Sequence, residues 1–324
     1  MLIPFFIQII YDEKNSIFLS SAFITSFIGI LLLLTNLEEN RKLNLQQAFL
    51  LTTLSWLSVA IFGSLPFLLS DLNLSIVDSI FESMSGITTT GSTIITNLND
   101  APKSILFWRA LLQWLGGIGI IVMAITILPL LNIGGMQLFR MENTDTTEKI
   151  LPKTREITLI ISTVYLSLTL LCTISYWVVG MNFFDSAAHA MTTIATGGFS
   201  TYTESIGYFQ NAKIETVSII FILSGSIPFV TYLKFVKGDK KIFFNDAQIK
   251  GLVYMLLFSV LFMFLYLIIN NNEINILENL RVSTFNVVSI LSGTGYVTTD
   301  FSSWGKFPLI FFLFLMFVGG CAGS

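Results

Sequence analysis

Long apolar runs alternate along this chain with shorter segments of mixed polarity, and the alternation comes three times. Crossing a hydrocarbon layer of ~30 Å takes about 20 apolar residues. Runs of that order cover roughly residues 17–35, 48–69, 105–131, 157–179, 216–235 and 251–269, and a further one starts at Phe307. Between them lie 76–87, 184–194 and 276–291, which carry Asp78, Glu82, His189 or Arg281 and are too short and too polar to span. The pattern predicts half-helices that enter and leave on one side.

Each half-helix leads into a run rich in Thr, Ser and Gly: Thr88 to Thr93, Ala195 to Thr201, and Ser292 to Thr299. Aligned on Gly91, Gly198 and Gly295, the three stretches all have serine twelve places earlier, at Ser79, Ser186 and Ser283. The first two also share Asp78 with Asp185, Met84 with Met191, and Ile87 with Ile194. This is an internal repeat whose unit is a pair of membrane helices joined through a re-entrant loop.

Composition agrees with a bilayer protein. The chain is 53% hydrophobic and 11% charged, and its mean hydropathy is +0.78, too much apolar surface for a soluble core. A net charge of −3 gives no sign of nucleic-acid binding. Cys172 and Cys321 lie in apolar stretches and read as small buried side chains, and a single histidine, His189, removes most metal sites from consideration. Segments 36–47, 132–156 and 234–250 hold 11 of the 17 Lys and Arg, so they are expected on the cytoplasmic side. The Thr/Gly runs then face outward, among Asp71, Asp78, Glu82, Asp100, Asp185, Glu204, Glu273, Glu278 and Asp300, an acidic face that would gather cations. The apolar run 1–10 is half a span, and the chain stops within or just after another, so both ends read as cut; no cleavable signal peptide is evident.

Backbone leaves helical geometry inside a membrane only where protein or a water-filled path satisfies it. Carbonyls and hydroxyls of a Thr/Ser/Gly run turned toward one axis replace an ion's hydration shell, and glycine supplies the backbone angles and the space. The alternative is that such glycines let helices cross closely, the reading taken for Gly116, Gly117 and Gly119. Asp78 and Asp185 read as N-terminal caps, shared with Ser79 and Ser186. Arg109, a turn into its span, reads as snorkelling outward, with Glu82 or Asp78 as a partner; His189 reads as packed or hydrogen-bonded. Arg281 makes the third unit electrostatically unlike the others.

Four stretches together, Phe81 to Gly91, Leu112 to Gly119, Ala195 to Thr201 and Phe317 to Ser324, resemble the membrane subunits of bacterial Trk potassium uptake systems, the TrkH family. The resemblance implies an all-α polytopic membrane protein, with repeated helix–re-entrant loop–helix units around a central ion pore, three of four repeats being present. The implied divisions are an N-terminal helical hairpin (1–47, its first helix partial), pore repeat one (48–131), pore repeat two (132–236, with cytoplasmic loop 132–156) and pore repeat three (237–324, cut in its second helix). The fourth repeat is absent. Potassium would be bound by filter residues Thr90, Gly91, Thr196, Gly197, Gly198, Thr294, Gly295 and Tyr296. Gly319, Gly320, Cys321, Ala322, Gly323 and Ser324 would begin a gate loop beneath them.

By the same resemblance the protein is no enzyme and takes up K+ across the bacterial inner membrane. It would pair as a homodimer and dock a cytoplasmic TrkA subunit, which would carry any nucleotide, NAD or ATP. Glycine at each filter position implies potassium over sodium. Three rivals stay open on the residues alone. A membrane enzyme would need clustered acid/base or ligand residues, a secondary transporter would show inverted repeats, and the chain could be a non-functional truncated product of a potassium transporter.

Overall fold

The structure, a computed structural model, describes residues 1–13, 16–35, 45–126, 150–270 and 275–321. Arg41 and Lys42, most of the basic segment 132–156, and Ala322, Gly323 and Ser324, read from sequence as part of a gate, lie outside the described residues. The described residues are helical, with no strand among them. The helices are α1 (Leu2–Ile10), α2 (Ile17–Thr35), α3 (Leu45–Gly63), α4 (Leu65–Leu68), α5 (Ile76–Ile87), α6 (Lys103–Thr126) and α7 (Ile150–Val178). They continue with α8 (Phe183–Ile194), α9 (Ala212–Ser226), α10 (Phe229–Val236), α11 (Ile242–Asn245), α12 (Ala247–Asn270), α13 (Ile276–Leu291) and α14 (Lys306–Val318).

Polarity runs from an apolar outside to a polar inside. Phe23, Leu33, Trp177, Tyr254 and Phe258 are exposed on the long helices, whereas Glu82, Arg109, Gln113, Asp185, His189 and Asn286 are buried. That inversion suits a helical protein in hydrocarbon, where polar groups must find each other inside. Four described helical stretches are long and apolar enough to cross a membrane: Ile17–Thr35, Phe49–Leu68, Glu156–Val178 and Ala247–Asn270.

The expected half-helices correspond to α5, α8 and α13. Each packs against the long helix before it (α3, α7 and α12) and the helix after it (α6, α9 and α14). The first two have 12 residues, the third 16. The extra turn lies at the N-terminus: α5 and α8 start at N-caps Ser75 and Asn182, whereas the matching residue of the third unit, Asn279, lies inside α13 and Asn275 is the cap. Asp78 closes a capping box with Ser75. Ser79 and Ser186 are not caps; a full turn inside, they donate to the carbonyls of Ser75 and Asn182.

The apolar run 216–235, read as one span, is two helices, α9 and α10, bent by 84°. Pro228 has no N–H to give Ser224, and it holds Ile227 extended, at φ −79° and ψ 141°. The carbonyls freed at the break find new donors. Tyr232 Oη donates to Ser224 O at 2.8 Å, and the Cys321 N–H donates to Ser226 O at 3.2 Å. The break thus meets the chain just beyond α14, where Gly319 turns left-handed at φ 69°.

Close approach explains two of the three glycines of α6. A Cβ on Gly116 would lie 1.9 Å from the carbonyl oxygen of Ile87, the last residue of α5. One on Gly117 would lie 2.7 Å from Tyr165 Oη and 3.1 Å from Ala195 Cβ. Gly119 has only Trp56 nearby, at 3.8 Å, so it is not a crossing point. Gly116→Ala should therefore destabilise the protein by about 1–3 kcal/mol, the usual cost of overpacking, and Gly119→Ala should be near neutral. Thermal unfolding of the two variants in detergent checks this; equal melting temperatures would contradict the contact.

Candidate functional site

The C-terminal ends of α5, α8 and α13 run directly into the three Thr/Gly loops, and the loops share one backbone path. In each, two residues two positions apart are left-handed: Thr89 and Gly91 (φ 55° and 82°), Thr196 and Gly198 (48° and 75°), and Gly293 and Gly295 (77° and 81°). For the two threonines this conformation costs roughly 1–2 kcal/mol each, and β-branched residues are rare there. The register extends to the hydrogen bonds. The N–H groups of Thr89, Thr196 and Gly293 donate to Gly86, Thr193 and Ile290, each three residues back. Those of Gly91, Gly198 and Gly295 donate to Ser85, Thr192 and Ser289, each six back.

Hydroxyls complete the fold of loops one and three. Ser85 Oγ donates to Ser92 O, and Ser289 Oγ to Tyr296 O, both at 2.6 Å. Thr88 and Thr90 share a hydroxyl–hydroxyl bond of 2.8 Å, and Ser292 and Thr294 share the matching one at 2.7 Å. Loop two has Ala195 and Gly197 in those places and so has no hydroxyl pair. There Gln113, from α6, donates through Nε2 to Gly197 O at 2.7 Å and accepts from the Phe199 N–H at 3.0 Å.

The carbonyls of the six left-handed residues, Thr89, Gly91, Thr196, Gly198, Gly293 and Gly295, accept no hydrogen bond from any described residue. None of the six residues is fully buried, and Gly293 and Gly295 are exposed; a matched set of six carbonyls with no protein donor at the ends of three half-helices is a place for a ligand with positive charge. The carbonyl ends of those helices add to the attraction.

The loops interlock in sequence. A Cβ on Gly91 would lie 2.1 Å from Gly197 O, and one on Gly198 would lie 1.8 Å from Thr294 O. Gly91 and Gly198 thus each receive the carbonyl of the residue preceding the next loop's glycine. Among the described residues nothing lies within 4 Å of a Cβ placed on Gly295, and Thr90, which carries the corresponding carbonyl of loop one, is exposed. The ring of loops is therefore open between loop three and loop one.

Behind the loops sits a buried polar scaffold. Arg109 Nε donates to Glu82 Oε1 at 2.7 Å and Nη1 to Ser200 O at 2.9 Å, and its guanidinium lies 4.0 Å from the centre of the Phe199 ring. Arg109 is 1% exposed, so it does not snorkel. Glu82 also accepts from Thr93 Oγ1 and the Ile94 N–H. Asp185 accepts from Thr201 Oγ1 at 2.7 Å and Tyr202 Oη at 2.8 Å. Glu82 and Asp185 are thus interior struts and not part of an exposed acidic mouth. His189 is packed as expected, with Nδ1 against Asp185 O and Nε2 against Ser200 Oγ, both at 2.9 Å. Arg281 pairs with Glu215 and Glu278.

Of the residues assigned to the filter from sequence, Thr90, Gly91, Thr196, Gly198, Thr294 and Gly295 lie in the interlocked loops. Two others are occupied differently. Gly197 O is taken by Gln113 and faces Gly91. Tyr296 turns its ring away into α8, where its hydroxyl meets Thr192, Thr193 and the His189 carbonyl, while its own carbonyl is held by Ser289. Tyr296 is a brace between loop three and half-helix two. Of the residues read from sequence as a gate, Gly319, Gly320 and Cys321 follow α14 and line a cavity of about 310 Å³ with Gln248, Gly251, Leu252 and Met255. Sequence reasoning missed the hydroxyls at Ser85, Thr192 and Ser289, although a hydroxyl six residues before each glycine was there to be read. It also missed Gln113, for which spacing carried no signal.

The family described as TrkH, cation transport protein, matches residues 14–324. The Trk system potassium uptake protein TrkI of Halomonas elongata is 42% identical over 279 residues, which cover 86% of this chain and 56% of that protein. The Trk system potassium uptake proteins TrkH of Vibrio parahaemolyticus and Escherichia coli are 37% and 36% identical, over 100% of this chain and 68% of theirs. The crystal structure of the potassium transporter TrkH from Vibrio parahaemolyticus superposes with a TM-score of 0.89 at 35% identity, covering 100% of this chain and 67% of that one. The chain thus spans between about half and two thirds of the length of these relatives.

The scaffold makes a charge prediction. Arg109→Leu leaves Glu82 buried without its partner, at a cost of about 3–5 kcal/mol. Glu82→Gln combined with Arg109→Leu removes both charges and should recover most of that loss. Thermal unfolding in detergent separates the cases, and equal destabilisation of the single and double variants would mean that the ion pair is not what holds the two loops.

Proposed function

The chain belongs to the TrkH family of cation transport proteins, and from that premise we propose that it forms three walls of a potassium uptake pore in the bacterial cytoplasmic membrane. The observation that carries this reading is the set of six left-handed residues with uncommitted carbonyls, two per loop and matched in register. Dehydrating a potassium ion requires several oxygens at once, held without reorganisation. Loops pinned at both ends by Ser85 and Ser289, interlocked at Gly91 and Gly198, and backed by Glu82–Arg109 would supply that rigidity. This is transport chemistry and needs no catalytic group. Among the described residues no three His, Cys, Asp or Glu side chains cluster as a metal site would need.

The gap between Gly295 and Thr90 is the place for a fourth loop, which in our reading completes the ring. The gate forms below, where Gly319 to Ser324 meets the break between α9 and α10. As part of a Trk system the chain works in a multi-component assembly. Within it we propose a homodimer of the membrane subunit and a TrkA-type cytoplasmic partner that binds the regulatory nucleotide, docked on the basic side.

Rubidium uptake and potassium-limited growth of a potassium-transport-deficient bacterium, with a TrkA partner supplied, test the reading. The chain extended through a fourth repeat should rescue growth, and the chain as it stands should not. Rescue by both would remove the need for a fourth wall, and failure of both, with membrane insertion confirmed, would overturn the pore assignment. In the extended protein, Gly91→Ser or Gly198→Ser forces a side chain onto a left-handed residue and into the neighbouring loop's carbonyl. Either should reduce potassium over sodium discrimination at least about tenfold, equivalent to 1.4 kcal/mol; unchanged selectivity in both would remove these glycines from the filter.

A further inference from the structure

We propose that Gln113, which lies on α6 of repeat one and outside every Thr/Gly loop, is a positioning residue that sets ion discrimination by holding the filter of repeat two. The inference rests on the potassium-pore reading and adds to it a residue that no loop contains. Loops one and three brace themselves through the hydroxyl pairs Thr88–Thr90 and Ser292–Thr294. Loop two has Ala195 and Gly197 at those positions, so its backbone has no internal brace there.

Gln113 fills the vacancy from outside. Its amide is fully buried and spans the loop's glycines, donating to Gly197 O at 2.7 Å and accepting from the Phe199 N–H at 3.0 Å. The two bonds flank Gly198, so they fix the peptide planes on both sides of a residue whose carbonyl is free for an ion. The exchange is also steric. A Cβ on Gly197 would lie 2.5–2.7 Å from the Gln113 amide atoms, so a hydroxyl residue at 197 would push the Gln113 amide out of its present place.

The device is confined to one loop. Gln113 stands twenty-two residues after Gly91, and the residues at the same distance from Gly198 and Gly295 are Ile220 and Phe317, both apolar and exposed. Gly197 O, held by Gln113, is also the oxygen against Gly91. A shift of this one amide is therefore felt by loops one and two together, whereas a hydroxyl pair braces only its own loop.

The test is a three-variant exchange in the form of the protein that takes up rubidium in the complementation experiment, with rubidium uptake measured against competing sodium. Gln113→Ala should leave membrane insertion intact and lower rubidium over sodium discrimination by about tenfold, as expected for two lost hydrogen bonds to buried backbone. Ala195→Ser with Gly197→Thr in the presence of Gln113 should impair uptake by collision. Combining all three substitutions rebuilds in loop two the brace of loops one and three and should restore discrimination to within about threefold of the unsubstituted protein. Undiminished discrimination in Gln113→Ala, or no recovery in the triple variant while it inserts normally, would overturn the role of Gln113. Absence of uptake by the unsubstituted protein would instead sink the potassium reading on which it depends.

Discussion

The structure depends on one constraint: three stretches of non-helical backbone must be held at fixed positions inside an apolar protein, with some of their carbonyls left unpaired. In a bilayer an unsatisfied peptide group costs several kcal/mol, and many of the polar groups near the loops serve to keep these few in place. Serine hydroxyls six residues upstream, hydroxyl pairs within loops one and three, an amide from a neighbouring helix and a buried ion pair all serve that end. The contacts from Gly91 to Gly197 and from Gly198 to Thr294 then transmit the position of each loop to the next.

Near-symmetry with local exceptions follows from this arrangement. The backbone of the three loops is alike because the geometry around an axis asks the same of each. The side chains that secure it differ because each loop has different neighbours. Loop two lies between two others and is braced by Gln113, Arg109 and His189, and by the Tyr296 hydroxyl through α8. Loop three is held by its own Ser289, Ser292 and Thr294 and, at Val297, by Ser205 and the Gly207 N–H. The same logic reaches the break between α9 and α10, where Tyr232 takes up the Ser224 carbonyl that Pro228 cannot serve and the Cys321 N–H takes up the Ser226 carbonyl freed by the bend.

Much of the architecture was legible in the chain. Residues 17–35, 76–87 and 276–291 were placed as the helices that form, because apolar length and the abrupt change to Thr and Gly are local properties. The three loop glycines, Gly91, Gly198 and Gly295, were legible by repetition, and their left-handed backbone is what glycine is suited to. Less was legible where one residue type serves two ends. Glu82 and Asp185 looked like members of an acidic mouth and are interior struts, and Arg109 looked like a snorkelling anchor and is buried against Phe199. In a sequence an exposed carboxylate and a paired one are the same letter, and only a partner 27 residues away tells Glu82 which it is.

By itself, then, the sequence determined that the chain lives in a bilayer, that it is built from three like units, and that each unit carries a glycine-dependent departure from helix. These follow from hydropathy, length and backbone sterics, which act over a few residues. Tertiary structure decided which carbonyls are free and which are held, that Gly197 and Tyr296 serve as contacts between elements, that the run 216–235 bends at Pro228, and that Gln113 belongs to loop two. Those depend on hydrogen bonds between residues as many as 107 positions apart, whose formation requires the helices to be packed first and whose partners no local pattern announces.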